Sequence, residues 1–408
     1  MLDNAIEKKP SWMVLGLMHL KRMFNANIFS QTKARGVMIQ GVVLSLVLLG
    51  VYYLLSNATQ NLNQMGMMFG FDFLNATAGF NISWSLLPYD PTMSYWRVFM
   101  VGMINTLILS FSVIVVATIL GTLIGIMRLS SNPMVAFVAR AYVELVRNIP
   151  LLIQIIFWFT VVFSTLPSPR QSYMLLDAVV LNNRGLYLPT FELSSQAVWP
   201  LIMTVFSLAL SVFMHRKNKK NRLKNGKLTT NSYILNVCVY LLLGLSLTLF
   251  NQSISWQWPQ LTGFNYTGGA FLPAAFGAAF MAMTIYRSAS IAETVRAGIQ
   301  SIDKGQAEAA STIGFSRFQA LKLIIIPQAA RAIVPPITNA WLATTKDSSL
   351  AVAIGFPELV SLFMQTSINQ TGRAIEIIAM VMGFYVVVSL LMSYLLNVYN
   401  NRVQLKVR

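Results

Sequence analysis

The chain has 408 residues, 55% of them hydrophobic and only 11% charged, with a mean hydropathy of +0.60. A soluble domain carries roughly 25% charged residues, and 30 Lys and Arg with 13 Asp and Glu are too few to coat the roughly two or three domains this length would need. A soluble enzyme is excluded, and the net charge of +17 does not point to nucleic acid, because most of it falls in loops between apolar stretches.

In chain order, residues 1–36 are polar and basic, so the apolar run that follows reads as an uncleaved anchor rather than a signal peptide. A spanning helix needs about 20 mostly apolar residues. Stretches 37–55 and 98–127 qualify, and 150–166 qualifies when extended backward through 141–146. Stretches 197–214, 233–250, 271–286 and 374–398 follow. Segment 332–355 contains Pro335, Pro336, Lys346 and Asp347, which membrane depth tolerates only against a cavity or other helices. Counted as a span it makes eight, which puts both termini on one side. Of the 30 Lys and Arg, 25 fall in 1–36, 127–148, 215–232, 287–331 and 401–408; the others are Arg97, Arg170, Arg184, Lys346 and Arg373. That bias places both termini in the cytoplasm.

The connecting segments carry less information. Residues 56–96, with Trp84, Tyr89, Tyr95 and Trp96, read as an outer interfacial loop, with a docking surface for an external partner as the competing reading. Segments 167–196 and 252–270 read as further outer loops. Cys238 is the single cysteine, and His19 and His215 sit in separate basic segments, so neither a disulfide framework nor a metal site is expected. The basic cluster at 216–227 lacks interleaved aromatic residues and reads as a stop-transfer signal, not a nucleic-acid site. No internal repeat is evident.

One cytoplasmic loop has structure of its own. Asp303 with Gln306 has capping-box spacing, so a helix is expected from Lys304 through Ala307, Glu308, Ala309 and Ala310, closed by Gly314 as a left-handed cap. Ser316 with Gln319 repeats the pattern and opens a second helix, expected to stop near Pro327. A short Ala-rich helix buries little apolar surface, so it and Phe315 need a partner surface, most simply another protein. Glu293 and Arg296 lie one turn apart and are expected to pair and orient the loop. Adjacent Lys346 and Asp347 diverge by about 100° on a helix, so each needs another partner; with Asn339 and Ser348 they are candidates for lining a substrate path, against the reading that they sit hydrated at the membrane edge.

The string from Glu308-Ala309-Ala310 through Gly314 to Ile324, Ile326 and Pro327 resembles the EAA loop of permease subunits of ATP-binding-cassette importers, with Ile326 where leucine is usual. The flanking Ala292-Glu293, Arg296-Ala297-Gly298-Ile299, Lys304-Gly305-Gln306 and Pro327-Gln328-Ala329, with Asn105-Thr106-Leu107, Arg147 to Gln154 and Lys346 to Leu350, resemble the polar amino acid branch, histidine and glutamine permeases included. The matches cover most of 98–396 outside an insert at 167–270. The enlarged layout is similar to the first permease of general L-amino-acid importers of Gram-negative bacteria.

The resemblance implies an all-α integral membrane protein with a five-span type I importer core, one extra N-terminal span and two inserted spans. Its parts would be a basic cytoplasmic N-terminus (1–36), the extra span and periplasmic loop (37–97), the first part of the core (98–166), the insert (167–270), the second part of the core (271–400) with a coupling loop at 296–327, and a cytoplasmic tail (401–408). It implies a non-enzymatic transport subunit in a bacterial inner membrane, paired with a second permease in a heterodimer, two ATPases and a periplasmic amino-acid-binding protein. ATP and magnesium would sit on the ATPases, since this chain has no G-x-x-x-x-G-K-[ST] phosphate loop. Lys304, Gly305, Gln306, Glu308, Ala309, Ala310, Gly314 and Pro327 are the residues implied in ATPase coupling. The competing class is a secondary transporter driven by an ion gradient, whose usual inverted repeats are not seen. A membrane enzyme lacks paired carboxylates or a nucleophile elbow here, and a channel lacks a pore-loop repeat.

Overall fold

The structure is a computed structural model that describes residues 32–64, 70–194, 198–225 and 230–403. His19, Lys227 and the end of the basic C-terminal tail lie outside the described residues. The chain divides into two units, with the boundary between Phe71 and Asp72. In the first unit, α1 (Thr32–Gln64) carries the apolar stretch at 37–55, and Ile39, Leu46 and Leu49 along it are exposed, as on a helix that faces lipid.

The second unit begins with a short 3₁₀ turn at Asp72–Asn75 and a loop that feeds α2 (Tyr95–Met127). Asn132 caps α3 (Pro133–Arg147) by accepting from the Met134 amide at 3.0 Å. After a bend of 97°, α4 (Leu151–Phe157) runs into a π turn at Trp158–Phe163. Strands β1 (Tyr173–Leu175), β2 (Val179–Asn182), β3 (Gly185–Leu188) and β4 (Thr190–Leu193) precede the helical hairpin α5 (Val198–Asn225) and α6 (Thr230–Gln252). Strands β5 (Ile254–Gln257), β6 (Gln260–Thr262), β7 (Asn265–Thr267) and β8 (Ala270–Pro273) return the chain to α7 (Ala274–Gln300). Then come α8 (Lys304–Thr312), α9 (Arg317–Ala320) and α10 (Ile326–Asp347). A 3₁₀ segment at Ser348–Ile354, a π turn at Val360–Ser367 and the short α11 (Ile368–Thr371) lead to α12 (Ala374–Val403).

Each of the eight apolar stretches falls mainly on helix, although 271–286 opens in strand β8 before α7 begins at Ala274. Among the described residues, four helical segments are long and apolar enough to cross a membrane, or five if the bent α3–α4 pair is one span. The insert holds more than loops. Strands β1, β2, β3 and β8 form an antiparallel sheet in that order, with Leu181, Leu186 and Leu272 as one cross-strand row and Val180, Tyr187 and Phe271 as the next. Such three- and four-residue strands are too short for period-two patterning to show in sequence. The α5–α6 hairpin is laced by polar pairs, Asn218 Nδ2 donating to Asn236 Oδ1 at 2.8 Å and Ser207 against Ser246 at 3.4 Å.

The main core forms where α2 crosses α7, the most extensive helix pair. Leu109, Val113 and Ala117 of α2 are buried with Ala278, Ala279, Ala282 and Met283 of α7. Gly121 and Gly125, four apart on α2, permit the close approach: a Cβ at Gly121 would lie 2.7 Å from the Ser288 carbonyl oxygen, and one at Gly125 2.8 Å from that of Ala292. Small residues spaced this way let two membrane helices touch backbone to backbone.

Candidate functional site

The loop after α7 is built by local hydrogen bonds. Asp303 Oδ1 accepts from the Gly305 amide at 2.7 Å and so caps α8, but the expected reciprocal bond is absent: Gln306 Oε1 instead accepts from Gln328 Nε2 at 3.2 Å. At the far end the Phe315 amide donates to the Ala310 carbonyl and the Gly314 amide to that of Ser311, both at 3.0 Å, with Gly314 at φ +85°. This is the left-handed closure expected of that glycine. The second box is complete, since the Ser316 amide donates to Gln319 Oε1 at 2.9 Å and the Gln319 amide to Ser316 Oγ at 3.3 Å.

The second helix does not stop at Pro327. Residues Leu321–Ile325 form a π turn, and α10 begins at Ile326 with Pro327 in its first turn. A helix start leaves its first amides unpaired, so proline loses nothing there, and the wider preceding turn relieves the ring's clash with the upstream carbonyl. The same helix also continues through Pro335 and Pro336 to Asp347.

On α8, Lys304, Gly305, Gln306, Glu308 and Ala309 are exposed, whereas Ala310 is buried. Ile313 and Phe318, on either side of the Gly314 turn, are 69% and 71% exposed. Through Lys304, Ala307 and Ser311, α8 also borders a cleft of about 890 Å³ that it shares with Met127, Ser130 and Phe315.

Glu293 pairs with Arg296 as expected, and also with Arg128, which follows the last residue of α2. This carboxylate, in the extension of α7 beyond its apolar stretch, therefore ties the ends of two core helices beside the loop. Arg296 first, with Arg128, holds its carboxyl down at about 2 against an ordinary 4.5. The separation of 165 residues between Arg128 and Glu293 hid that contact from sequence.

The four candidate path residues do not converge. Asp347 pairs with Arg287 of α7. Ser348 is buried and donates to the Thr345 carbonyl at 2.7 Å. Asn339 and Lys346 are exposed and lie seven residues apart, hence on one face of α10. Lys346 has no ion pair among the described residues. Sequence reasoning assigned nothing to Glu358, which is fully buried and accepts from the amides of Val360 at 2.8 Å and Ser361 at 2.6 Å, capping the following turn. Glutamate is not among the residues favoured at a helix N-cap, so the sequence carried no signal for this role.

The described residues thus form a multi-pass helical bundle with a capped, exposed helix-and-turn at one end. The profile of the family described as binding-protein-dependent transport system inner membrane component matches residues 117–405. An amino-acid ABC transporter permease protein of Escherichia coli, YhdX, is 44% identical over 353 residues, 86% of this chain and 90% of its own length. The general L-amino acid transport system permease protein AapQ of Rhizobium johnstonii is 36% identical over 91% of this chain and 93% of its own. The glutamate/glutamine/aspartate/asparagine transport system permease protein BztB of Rhodobacter capsulatus is 37% identical over 92% of this chain and 95% of its own. The chain belongs to this family of binding-protein-dependent permeases.

Proposed function

We propose that the chain is the membrane subunit of an ATP-driven importer of polar amino acids, coupled to a separate ATPase through α8 and the Gly314 turn. The observation that carries this reading is the pair of exposed apolar side chains, Ile313 and Phe318, beside Glu308 and Ala309 on a segment capped at both ends. Exposed apolar side chains on a rigid element mark a docking surface, and a rigid segment transmits displacement where a floppy one absorbs it. Glu308 supplies the charged contact, Ala309 the close approach, and Ala310 the anchor to the chain's own core. Lys304, Gly305 and Gln306 form the first turn. ATP and magnesium are bound by the ATPases, two per assembly, and a periplasmic binding protein delivers substrate.

The relatives' names support polar amino acids as substrates, and the chain pairs with a second, different permease. The first span and the two inserted spans are additions to a five-span core, in a bacterial inner membrane with both termini cytoplasmic. Asn339 and Lys346 line the path, Lys346 as the counter-charge to a substrate carboxylate. Asp347, neutralised by Arg287, positions the end of α10 instead of meeting substrate.

The test is uptake of labelled L-glutamate and L-glutamine into proteoliposomes holding the chain, its partner permease and the ATPase, with the binding protein supplied on the receptor side. Uptake should require ATP and fall on replacing Ile313 and Phe318 by serine. Uptake that follows an imposed ion gradient with the ATPase omitted refutes the reading and leaves a secondary transporter.

A further inference from the structure

An apolar groove of about 580 Å³ runs between α2, α10 and α12. Its floor is α10, through buried Thr345 and half-buried Trp341. Its rims are exposed side chains, Phe111 and Ile119 of α2 and Leu395 of α12. Two bonds fix the floor to both walls. Trp341 Nε1 donates to Thr118 Oγ1 of α2 at 2.9 Å, and Thr345 Oγ1 donates to Met392 Sδ of α12 at 3.8 Å. These bonds engage the polar atoms of the floor, so the groove presents hydrocarbon to whatever enters it.

Three features name the occupant. The first is continuity with the bilayer surface. Both walls belong to helices long and apolar enough to span, and beyond Leu395 the exposed belt of α12 continues through Leu391 and Leu390, so the groove opens onto lipid. The second is size. Along α2 the lining extends from Leu107 to Ile119, about 18 Å at 1.5 Å per residue, against roughly 15 Å for one half of the hydrocarbon core. Spread over that length, 580 Å³ leaves a width of roughly 6 Å, whereas a helix with its side chains is about 10–12 Å across. A hydrocarbon chain fits where a helix of a partner protein does not. The third is direction. Trp341 stands two residues from Asn339 and five from Lys346, hence about 160° and 140° around α10 from them, so the groove faces away from the side proposed to meet substrate. Left empty, it would forfeit dispersion contacts along all three helices.

We propose that this groove is a binding site for one acyl chain of a membrane phospholipid, held as a resident and not exchanged freely with the surrounding bilayer. The chain fills the wedge between α2 and α12 over the α10 floor and so sets the spacing of these helices. The site goes beyond the importer reading and depends on no step of transport.

The test reads the lipid directly in the complete assembly. Native mass spectrometry in a detergent that strips bulk lipid should show one phospholipid retained for each copy of this chain. Val388→Trp, which fills the groove from α12, should remove that phospholipid, whereas Val387→Trp, on the neighbouring exposed position, should keep it. Lys346→Met should also keep it, so loss of transport and loss of lipid are read separately. Equal retention in Val388→Trp and Val387→Trp overturns the site. A second measurement needs no filled groove. In vesicles of acyl-brominated phospholipid, the share of fluorescence that Trp341→Phe removes should be lost to quenching in the assembly as in the isolated chain. Quenching in the isolated chain but not in the assembly overturns the proposal, because the second permease then covers the groove; quenching in neither overturns it as well.

Discussion

Replacing Gly121 or Gly125 by alanine perturbs the α2–α7 crossing at its tightest point. The added carbon at Gly121 would lie 2.7 Å from both Ser288 O and Ile291 Cβ, and at Gly125 2.8 Å from Ala292 O and Val295 Cβ. Ordinary contact begins near 3.4 Å, and a helix carbonyl cannot rotate away, so the two helices must part by about 0.6 Å or more. A gap of 0.5–1 Å forfeits roughly a quarter to a half of each dispersion contact, each worth about 0.1–0.2 kcal/mol. Over the few tens of atom pairs at such a crossing this amounts to roughly 1–3 kcal/mol, the usual cost of overpacking. Gly383→Ala is the control: nothing lies within 4 Å of its added carbon, and alanine favours helix by about 0.5–1 kcal/mol. Intrinsic tryptophan fluorescence of the detergent-purified chain during heating measures the difference. Unfolding midpoints of Gly121→Ala and Gly125→Ala should fall by roughly 2–8 °C, while Gly383→Ala holds or rises. Midpoints for all three variants within a degree of wild type would refute the close-approach account.

Gly314→Val places a β-branched residue at φ +85°, where only the backbone objects because no atom lies within 4 Å of the added carbon; a strain of roughly 1–3 kcal/mol should leave membrane insertion intact and lower ATP-driven uptake, and equal loss of both measures would show that the turn serves insertion. Lys346→Met should abolish uptake at unchanged thermal midpoint, whereas Asp347→Asn should lower the midpoint through a stability loss of roughly 1–3 kcal/mol, since it strips the charge partner from an Arg287 side chain that is 11% exposed. The reverse pattern would exchange the two roles. Glu293 titrates lower in the folded chain than its ordinary 4.5, so its stabilisation is complete above that pH and is lost as pH falls toward about 2. The midpoint deficit of Glu293→Gln should therefore be largest at neutral pH and shrink below about pH 4.5; a deficit that grows in acid would refute the pairing.

How much was legible beforehand divides by the range of the interaction. The apolar stretches and the Ser316–Gln319 box are properties of neighbouring residues, and both could be read from spacing. The Gly314 closure was readable for the same reason, since a left-handed cap follows from a helix of known start and a glycine at its end. Pro327 misled because a proline can begin a helix as well as end one, and the π turn that decides between them depends on how the preceding segment meets α8. The glycine pair on α2 was visible as a spacing, yet its meaning required the partner helix.

Sequence by itself determined that this chain lives in a bilayer, roughly where it crosses, and that one short loop between spans carries its own caps. Hydrophobic length and local hydrogen bonding act within a few residues, so no distant partner is needed to read them. Only the tertiary structure decided that Asp347 is taken by Arg287 while Lys346 stays open, that Glu293 also reaches Arg128, and that Trp341 reaches Thr118. Each of those contacts joins residues far apart along the chain, and which of many possible partners meets a given side chain is set by how the helices pack, a choice that backbone approach at Gly121 and Gly125 governs.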